Sequence, residues 1–240
     1  MSQISTWLVT GSSRGIGLEL VRQLVANPQN VIVATCRDPA RASKLATLKE
    51  SAQGELHIVA LDVGSEAGIR GSVAEVSAIL GSRGLDYLYN NAAITEGDDS
   101  AFGFSYAGLL ETLRANVAGP ALLGMVYLPL LGMVYLPLLE RGRRRVIVNM
   151  TSGLASIGLD FGGKNATYSI SKTALNMLAK TRPDLIAYVV DPGWVKTDMG
   201  GPGAMMEVEE SVARLITLAT TATAESSGKF FRNDGEQNPW

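Results

Sequence analysis

Tyr168-Ser169-Ile170-Ser171-Lys172 places a phenol and an amine at positions i and i+4. On a helix those two side chains share one face. A free tyrosine has a pKa of about 10 and is a poor acid or base at neutral pH. A neighbouring ammonium favours the phenolate and is expected to lower that value. Tyr168 could then protonate a carbonyl oxygen as hydride arrives, or remove the alcohol proton in reverse. Taken alone, the spacing also fits an ordinary surface pair. Ser152, in Thr151-Ser152-Gly153 after the apolar run Val146–Asn149, is a second hydroxyl able to bond such an oxygen. The commoner work of a loop serine is to cap a turn.

A second group of residues could hold a phosphate. Thr10-Gly11-Ser12-Ser13-Arg14-Gly15-Ile16-Gly17 follows a strand-like run and opens an amphipathic stretch. Glycines at a strand-to-helix turn let a ligand approach the backbone, and the helix N-terminus offers free N–H groups to a pyrophosphate. The next apolar run ends in Thr35-Cys36-Arg37-Asp38. An acidic residue there suits the ribose hydroxyl of NAD, and an arginine suits the 2′-phosphate of NADP. Arg37 comes first and Arg14 can reach the same phosphate, so NADP is expected, with Asp38 keeping NAD open.

These residues need a scaffold with several chain segments ending at one edge. Short apolar runs supply it at Trp7–Thr10, Val31–Thr35, Leu56–Leu61, Leu85–Tyr89, Arg145–Asn149, Ile186–Val190 and Lys229–Phe231. Helix-like stretches alternate with them at Ile16–Ala26, Pro39–Ser51, Ser65–Leu80, Thr173–Lys180 and Val208–Thr220. That alternation predicts an α/β, Rossmann-type, doubly wound parallel sheet of about seven strands with helices on both faces. No linker or charge run divides residues 1–240, so one dinucleotide-binding domain is expected.

Composition narrows the chemistry. A net charge of −2 gives no field for nucleic acid. Cys36 is the only cysteine and His57 the only histidine, so a disulfide within the chain and a multi-histidine metal site are excluded. His57 lies in an alternating strand pattern and reads as an outward strand residue. The start of the chain lacks a basic n-region followed by an apolar h-region, which predicts a cytoplasmic protein.

One segment breaks the pattern. Leu123–Leu130 is repeated at once as Leu131–Leu138, making Val117–Leu139 an uncharged apolar run followed by four arginines within Arg141–Arg145. By length it is a transmembrane candidate. Its prolines and glycines favour a buried helix broken near Pro129 instead.

Together these residues resemble the short-chain dehydrogenase/reductase family, in its carbonyl-reductase and C-factor-like branch, which includes polyketide ketoreductases. The resemblance spans nearly the whole chain. Thr10 to Gly17 fits the family's glycine turn, with Gly11, Ser13, Arg14, Gly15, Ile16 and Gly17 on the cofactor. Asp62 and Val63 fit the adenine contact, and Asn90-Asn91-Ala92-Ala93 looks like its Asn-Asn-Ala-Gly motif, with Asn91 and Ala92 toward the cofactor. Asn116, Ser152, Tyr168 and Lys172 fit its catalytic tetrad. Asp191 to Thr197 resembles the segment holding the nicotinamide, through Pro192, Gly193, Val195 and Thr197. The resemblance implies NADPH-dependent reduction of a ketone or aldehyde, with Lys172 also on the nicotinamide ribose. It implies that Asn116 anchors a water leading from Lys172, and that Ser152 and Tyr168 clamp the carbonyl oxygen. The tail Gly228–Trp240 looks like that branch's C-terminus, and Met199, Met205 and Met206 fall where the family carries a substrate lid. The chain departs from the family in the duplicated octapeptide and in a short stretch between Lys172 and Ile186 that Pro183 ends early. Both helices often form the family's dimer interface, so a homodimer here would use a non-standard one. The alternative is a catalytically weak dinucleotide-binding sensor or scaffold of the same fold.

Overall fold

The computed structural model describes residues 4–97, 99–127, 144–159, 161–179 and 185–240. Seven strands form one parallel sheet: β1 (Ser5–Val9), β2 (Asn30–Cys36), β3 (Glu55–Ala60), β4 (Tyr87–Asn90), β5 (Val146–Met150), β6 (Ile186–Asp191) and β7 (Phe230–Arg232), in the order β3-β2-β1-β4-β5-β6-β7. All seven expected strands are present, with ends shifted by up to two residues.

The strands read as unbroken apolar runs because both sheet faces are covered. Side chains alternate between the two faces along each strand. Trp7 and Val9 of β1, with Ile32, Tyr89 and Val148, pack with α1 (Gly15–Val25), α2 (Ser43–Glu50) and α7 (Val208–Thr221). Leu8, between them, joins Val33, Leu88 and Ile147 against α3 (Glu66–Leu80) and Leu123 of α5 (Gly119–Tyr127). The rings of Trp7 and Tyr87 stack across β1 and β4 with centroids 3.7 Å apart.

Strand order reverses at β1 and β4, and the carboxyl ends of the strands on either side open a crevice there. Two helical elements flank it. The first runs from α4 (Tyr106–Leu113) through a π turn at Arg114–Ala118 into α5. The second is α6 (Ala166–Asn176), which begins seven residues before the helix expected at Thr173. Its start is held by a distant residue: Asp99 accepts the Thr167 backbone N–H at 3.0 Å. A 3₁₀ turn at Met177–Ala179 follows.

The octapeptide's first copy begins inside α5, while the expected break near Pro129, the second copy and Pro183 lie outside the described residues. Among the described residues no helix is long and apolar enough to cross a membrane. His57 sits on edge strand β3, its Nε2 2.7 Å from Glu55 Oε1. Among the described residues no three metal-ligating side chains cluster.

Candidate active site

The turn after β1 and the turn after β4 are locked to each other. Thr10 Oγ1 accepts the backbone N–H groups of both Asn91 and Ala92 at 3.0 Å, and Asn91 Nδ2 donates to Thr10 O at 2.8 Å. Gly11 has φ +69°, and a Cβ there would lie 2.8 Å from Ala92 Cα. A Cβ on Gly17 would meet Asn91 Nδ2 at 2.6 Å as well as the Gly11 carbonyl. No larger residue fits either place without displacing backbone. Ser12 faces inward, donating its N–H to Thr35 O at 2.9 Å and its hydroxyl to Val9 O at 2.8 Å. α1 opens with no side-chain cap and no acidic residue in its first turn. Its first N–H groups are therefore left for an anion at the crevice.

The cleft runs outward from this turn. Gly11, Ser13, Arg14, Gly15, Ile16 and Gly17 form its floor, with Asn91 to Ile94 opposite. Cys36, Arg37, Leu61, Asp62 and Val63 line one end. Arg37 is exposed at the mouth, whereas Asp38 Oδ1 is occupied in accepting the Ala40 N–H at 3.1 Å and so caps the turn Pro39–Arg41. That capping favours arginine over aspartate as the group presented to a ligand. Arg14 pairs across the cleft with Asp198 at 3.7 Å, both largely exposed.

The other end is lined by Met150, Thr151, Tyr168, Lys172, Pro192 and Thr197. Lys172 is 2% exposed, and its Nζ donates to Met150 O at 2.7 Å and lies 5.6 Å from the centre of the Tyr168 ring. Burial pushes the Lys172 amine down to about 7. Burial also holds the Tyr168 phenol well above its ordinary range, with the Asp191 carboxylate adding to the rise. Where a neighbouring ammonium alone would make Tyr168 more acidic, burial here acts in the opposite direction.

Asn116 and Ser152 stand just behind the cleft wall. Asn116 is completely buried in the π turn. Its amide donates to Ile94 O at 2.9 Å and Ser171 Oγ at 3.0 Å, and accepts the Ile94 N–H at 2.9 Å. Both amide hydrogens are therefore spent on protein, so the side chain staples the loop after β4 to α6 one residue from Lys172. Ser152 caps the 3₁₀ turn Gly153–Ala155, its Oγ accepting the Leu154 N–H at 3.2 Å. Gly193 and Val195 are also absent from the wall. Gly193 donates its N–H to Asp191 Oδ1 at 3.0 Å, and Val195 is 3% exposed and bridged to Met206. Their part is to shape the turn that presents Pro192 and Thr197.

Sequence reading did not find Cys36, Leu61, Ile94, Met150 or Asp198 as cleft residues. Most contribute backbone or apolar surface, which carries no residue-type signature. Their nearness in sequence to Arg37, Asp62, Ala93, Ser152 and Thr197 is the signal that could have found them.

A parallel sheet with this strand order, a glycine turn under a helix N-terminus, and a tyrosine–lysine helix across from it define a dinucleotide-dependent oxidoreductase class. The chain belongs to the short chain dehydrogenase family, whose profile matches residues 5–207. It is 32% identical over 163 residues to the C-signal protein of Myxococcus xanthus, covering 65% of this chain and 93% of that one. It is 29% identical over 254 residues to the norsolorinic acid ketoreductase nor1 of Dothistroma septosporum, covering 100% of this chain and 94% of that one. Its fold matches the NADPH-bound carbonyl reductase from chicken fatty liver with a TM-score of 0.89 and 31% identity across 100% of both chains.

Proposed function

We propose that the protein reduces a ketone or aldehyde to the alcohol with NADPH, reversibly, as a cytoplasmic enzyme acting on small molecules. The observation that carries this reading is the placement of Tyr168 and Lys172 on one face of α6, in the wall of the cleft that begins at the glycine turn. The residues fit the cofactor. Gly11 and Gly17 let the turns after β1 and β4 close on each other where a Cβ would clash, and the N-terminus of α1 can receive the pyrophosphate. Arg37 and Arg14 would be the cations for a 2′-phosphate, and Asp62 and Val63 would receive an adenine. Pro192, Thr197, Asn91 and Ala92 would hold the nicotinamide end. When bound, the cofactor supplies the hydride.

The chain's own residues manage the proton. Burial keeps Tyr168 in its phenol form across neutral pH, so its hydroxyl is loaded to donate to the oxygen of a carbonyl undergoing reduction. Lys172 lies next to that ring, with its charge within reach of neutral titration. Ser152 accepts at its cap, which leaves its hydroxyl hydrogen for the same carbonyl oxygen. Asn116 acts as a positioning residue, tying Ile94 to Ser171.

Loss of NADPH absorbance with a panel of ketones and aldehydes tests the reading. Oxidation by at least one carbonyl, abolished in Tyr168→Phe while NADPH still binds, is the expected result. Tight NADPH binding with no oxidation across a broad panel would favour the sensor or scaffold alternative.

A further inference from the structure

The segment after β7 touches the turn that carries Pro192 and the loop that carries Ser152, and nothing in the proton chemistry above uses it. β7 turns back through Asn233–Gly235, so that Gln237 pairs antiparallel with Phe231 and Asn238 donates its N–H to Phe230 O at 2.8 Å. The turn reaches one wall. Asn233 is 6% exposed, and its Nδ2 donates to Pro192 O at 2.6 Å, an oxygen that also accepts the Ser211 hydroxyl at 2.8 Å. The far end reaches the loop that follows β5. Pro239 O accepts the Ser156 hydroxyl at 2.7 Å, and Trp240 O accepts the Gly158 N–H at 2.8 Å. Gly158 is a glycine for this contact, since a Cβ there would lie 3.1 Å from both Pro239 Cβ and Trp240 O.

Ser156 belongs to the loop that carries Ser152. Its N–H closes on Gly153 O at 3.0 Å, and its Oγ in turn accepts the Leu159 N–H at 3.0 Å. On the side away from the tail, the same loop is pinned to α6 by Thr173, whose hydroxyl donates to Ala155 O at 2.9 Å. The ring of Trp240 rests 5.6 Å from Phe230, so the far end is anchored on β7 itself. One stretch of eight residues is therefore bonded to the turn presenting Pro192 and to the loop presenting Ser152.

We propose that Asn233–Trp240 is a strap that sets the gap between the Pro192 turn and the Ser152 loop, and so governs which carbonyl substrates reach Ser152 and Tyr168. The proposal rests on the reductase reading above. None of residues 233–240 lines the cleft, so the strap acts by position.

The test deletes Pro239 and Trp240 and, separately, makes Ser156→Ala, Ser156→Thr and Trp240→Phe. Each variant is compared with wild type for NADPH affinity by fluorescence, and for kcat and KM with one small and one bulky aromatic ketone. Hydrogen exchange of residues 153–159 is followed alongside. In the deletion, kcat/KM should fall about ten- to a hundredfold for one ketone and much less for the other, as misplacement near 1 Å allows. NADPH affinity should move by less than about twofold, because the strap does not line the cleft floor. Ser156→Ala should change the ratio in the same direction, Ser156→Thr should restore it, and Trp240→Phe should keep it because the bonds use the main chain. Equal loss for both ketones in parallel with melting temperature, or no change in the ratio, overturns the strap. If wild type itself turns over nothing, the reductase reading falls separately. The strap is then judged by exchange alone: unchanged protection at Gly158 and Leu154 in the deletion refutes it.

Discussion

At the glycine-turn end of the cleft a ligand meets backbone N–H groups and two exposed guanidiniums, Arg14 and Arg37. At the other end the lining side chain Lys172 is buried and tied to Met150 O, and Asn116, off the cleft wall, holds Ile94 and Ser171 behind it. The first end owes its shape to missing side chains, and the second to side chains whose partners lie far along the chain. Affinity should therefore be distributed and salt-sensitive at one end. Turnover should hang on a few atoms at the other, where desolvation makes each interaction stronger.

The sharpest way to test this contrast is Tyr168→Phe. Turnover should drop by about 10²- to 10⁴-fold, the usual worth of a positioned acid, while NADPH affinity stays close to wild type. A parallel loss of affinity would show that the two ends are not separable. In the reverse direction the raised phenol pKa has a definite sign. Alcohol oxidation needs Tyr168 to accept a proton, so its rate should climb as pH rises from 7 toward 10, while reduction holds near neutral. A pH-independent oxidation rate would break that assignment.

Next in size is Gly11→Ala. The residue sits at φ +69° with Ala92 Cα 2.8 Å from where its Cβ would be. The substitution should cost about 1–3 kcal/mol of strain, seen as a melting temperature lower by roughly 2–10 °C. NADPH binding should weaken as well, because the clash opens the turn. Unaltered binding would mean that the cradle adapts.

Arg37→Ala should weaken NADPH about tenfold, from loss of a charge-assisted contact worth roughly 1.5 kcal/mol. NADH affinity should stay the same and the salt dependence of NADPH binding should become shallower. Equal weakening of both cofactors would move the 2′-phosphate away from Arg37.

The remaining effect is on stability. Lys172 has a folded pKa of about 7, below its ordinary value of 10.5, so the unfolded chain binds more protons between those limits. Burial of this amine therefore costs stability that is fully felt below pH 7 and fades as pH rises toward 10. Lys172→Met should melt higher than wild type at pH 7 and lose that advantage near pH 10, while being inactive at both. A larger advantage at pH 10 would reverse the linkage.

The sheet was legible because β1, β2 and β5 are buried on both faces, which writes them as runs such as Val146-Ile147-Val148. The glycine turn was legible because glycine alone satisfies φ +69° against a neighbouring backbone. The helix bearing Tyr168 was placed late because its first turn, Ala166-Thr167-Tyr168, carries no local capping signal and is held by Asp99, 68 residues upstream. Asn116 was legible as a residue to watch. Its bonds to Ile94 and Ser171 were not, because they depend on a π turn that rotates the amide inward. The burial that raises Tyr168 and lowers Lys172 could not be read either, since spacing reports which groups meet and not how dry the place is.

The three tryptophans fall in three different parts of the molecule. Trp7 is stacked on Tyr87 inside the sheet, Trp194 is half exposed with its indole N–H on Gly200 O at 2.7 Å, and Trp240 rests beside Phe230. Each indole has a different polarity around it, so their emission should differ in wavelength and quenching. The chain thus carries built-in optical reporters, one for the interior, one for the segment after β6 and one for the returning tail. Single-tryptophan variants would let the movements of these three parts be timed independently, without an added dye.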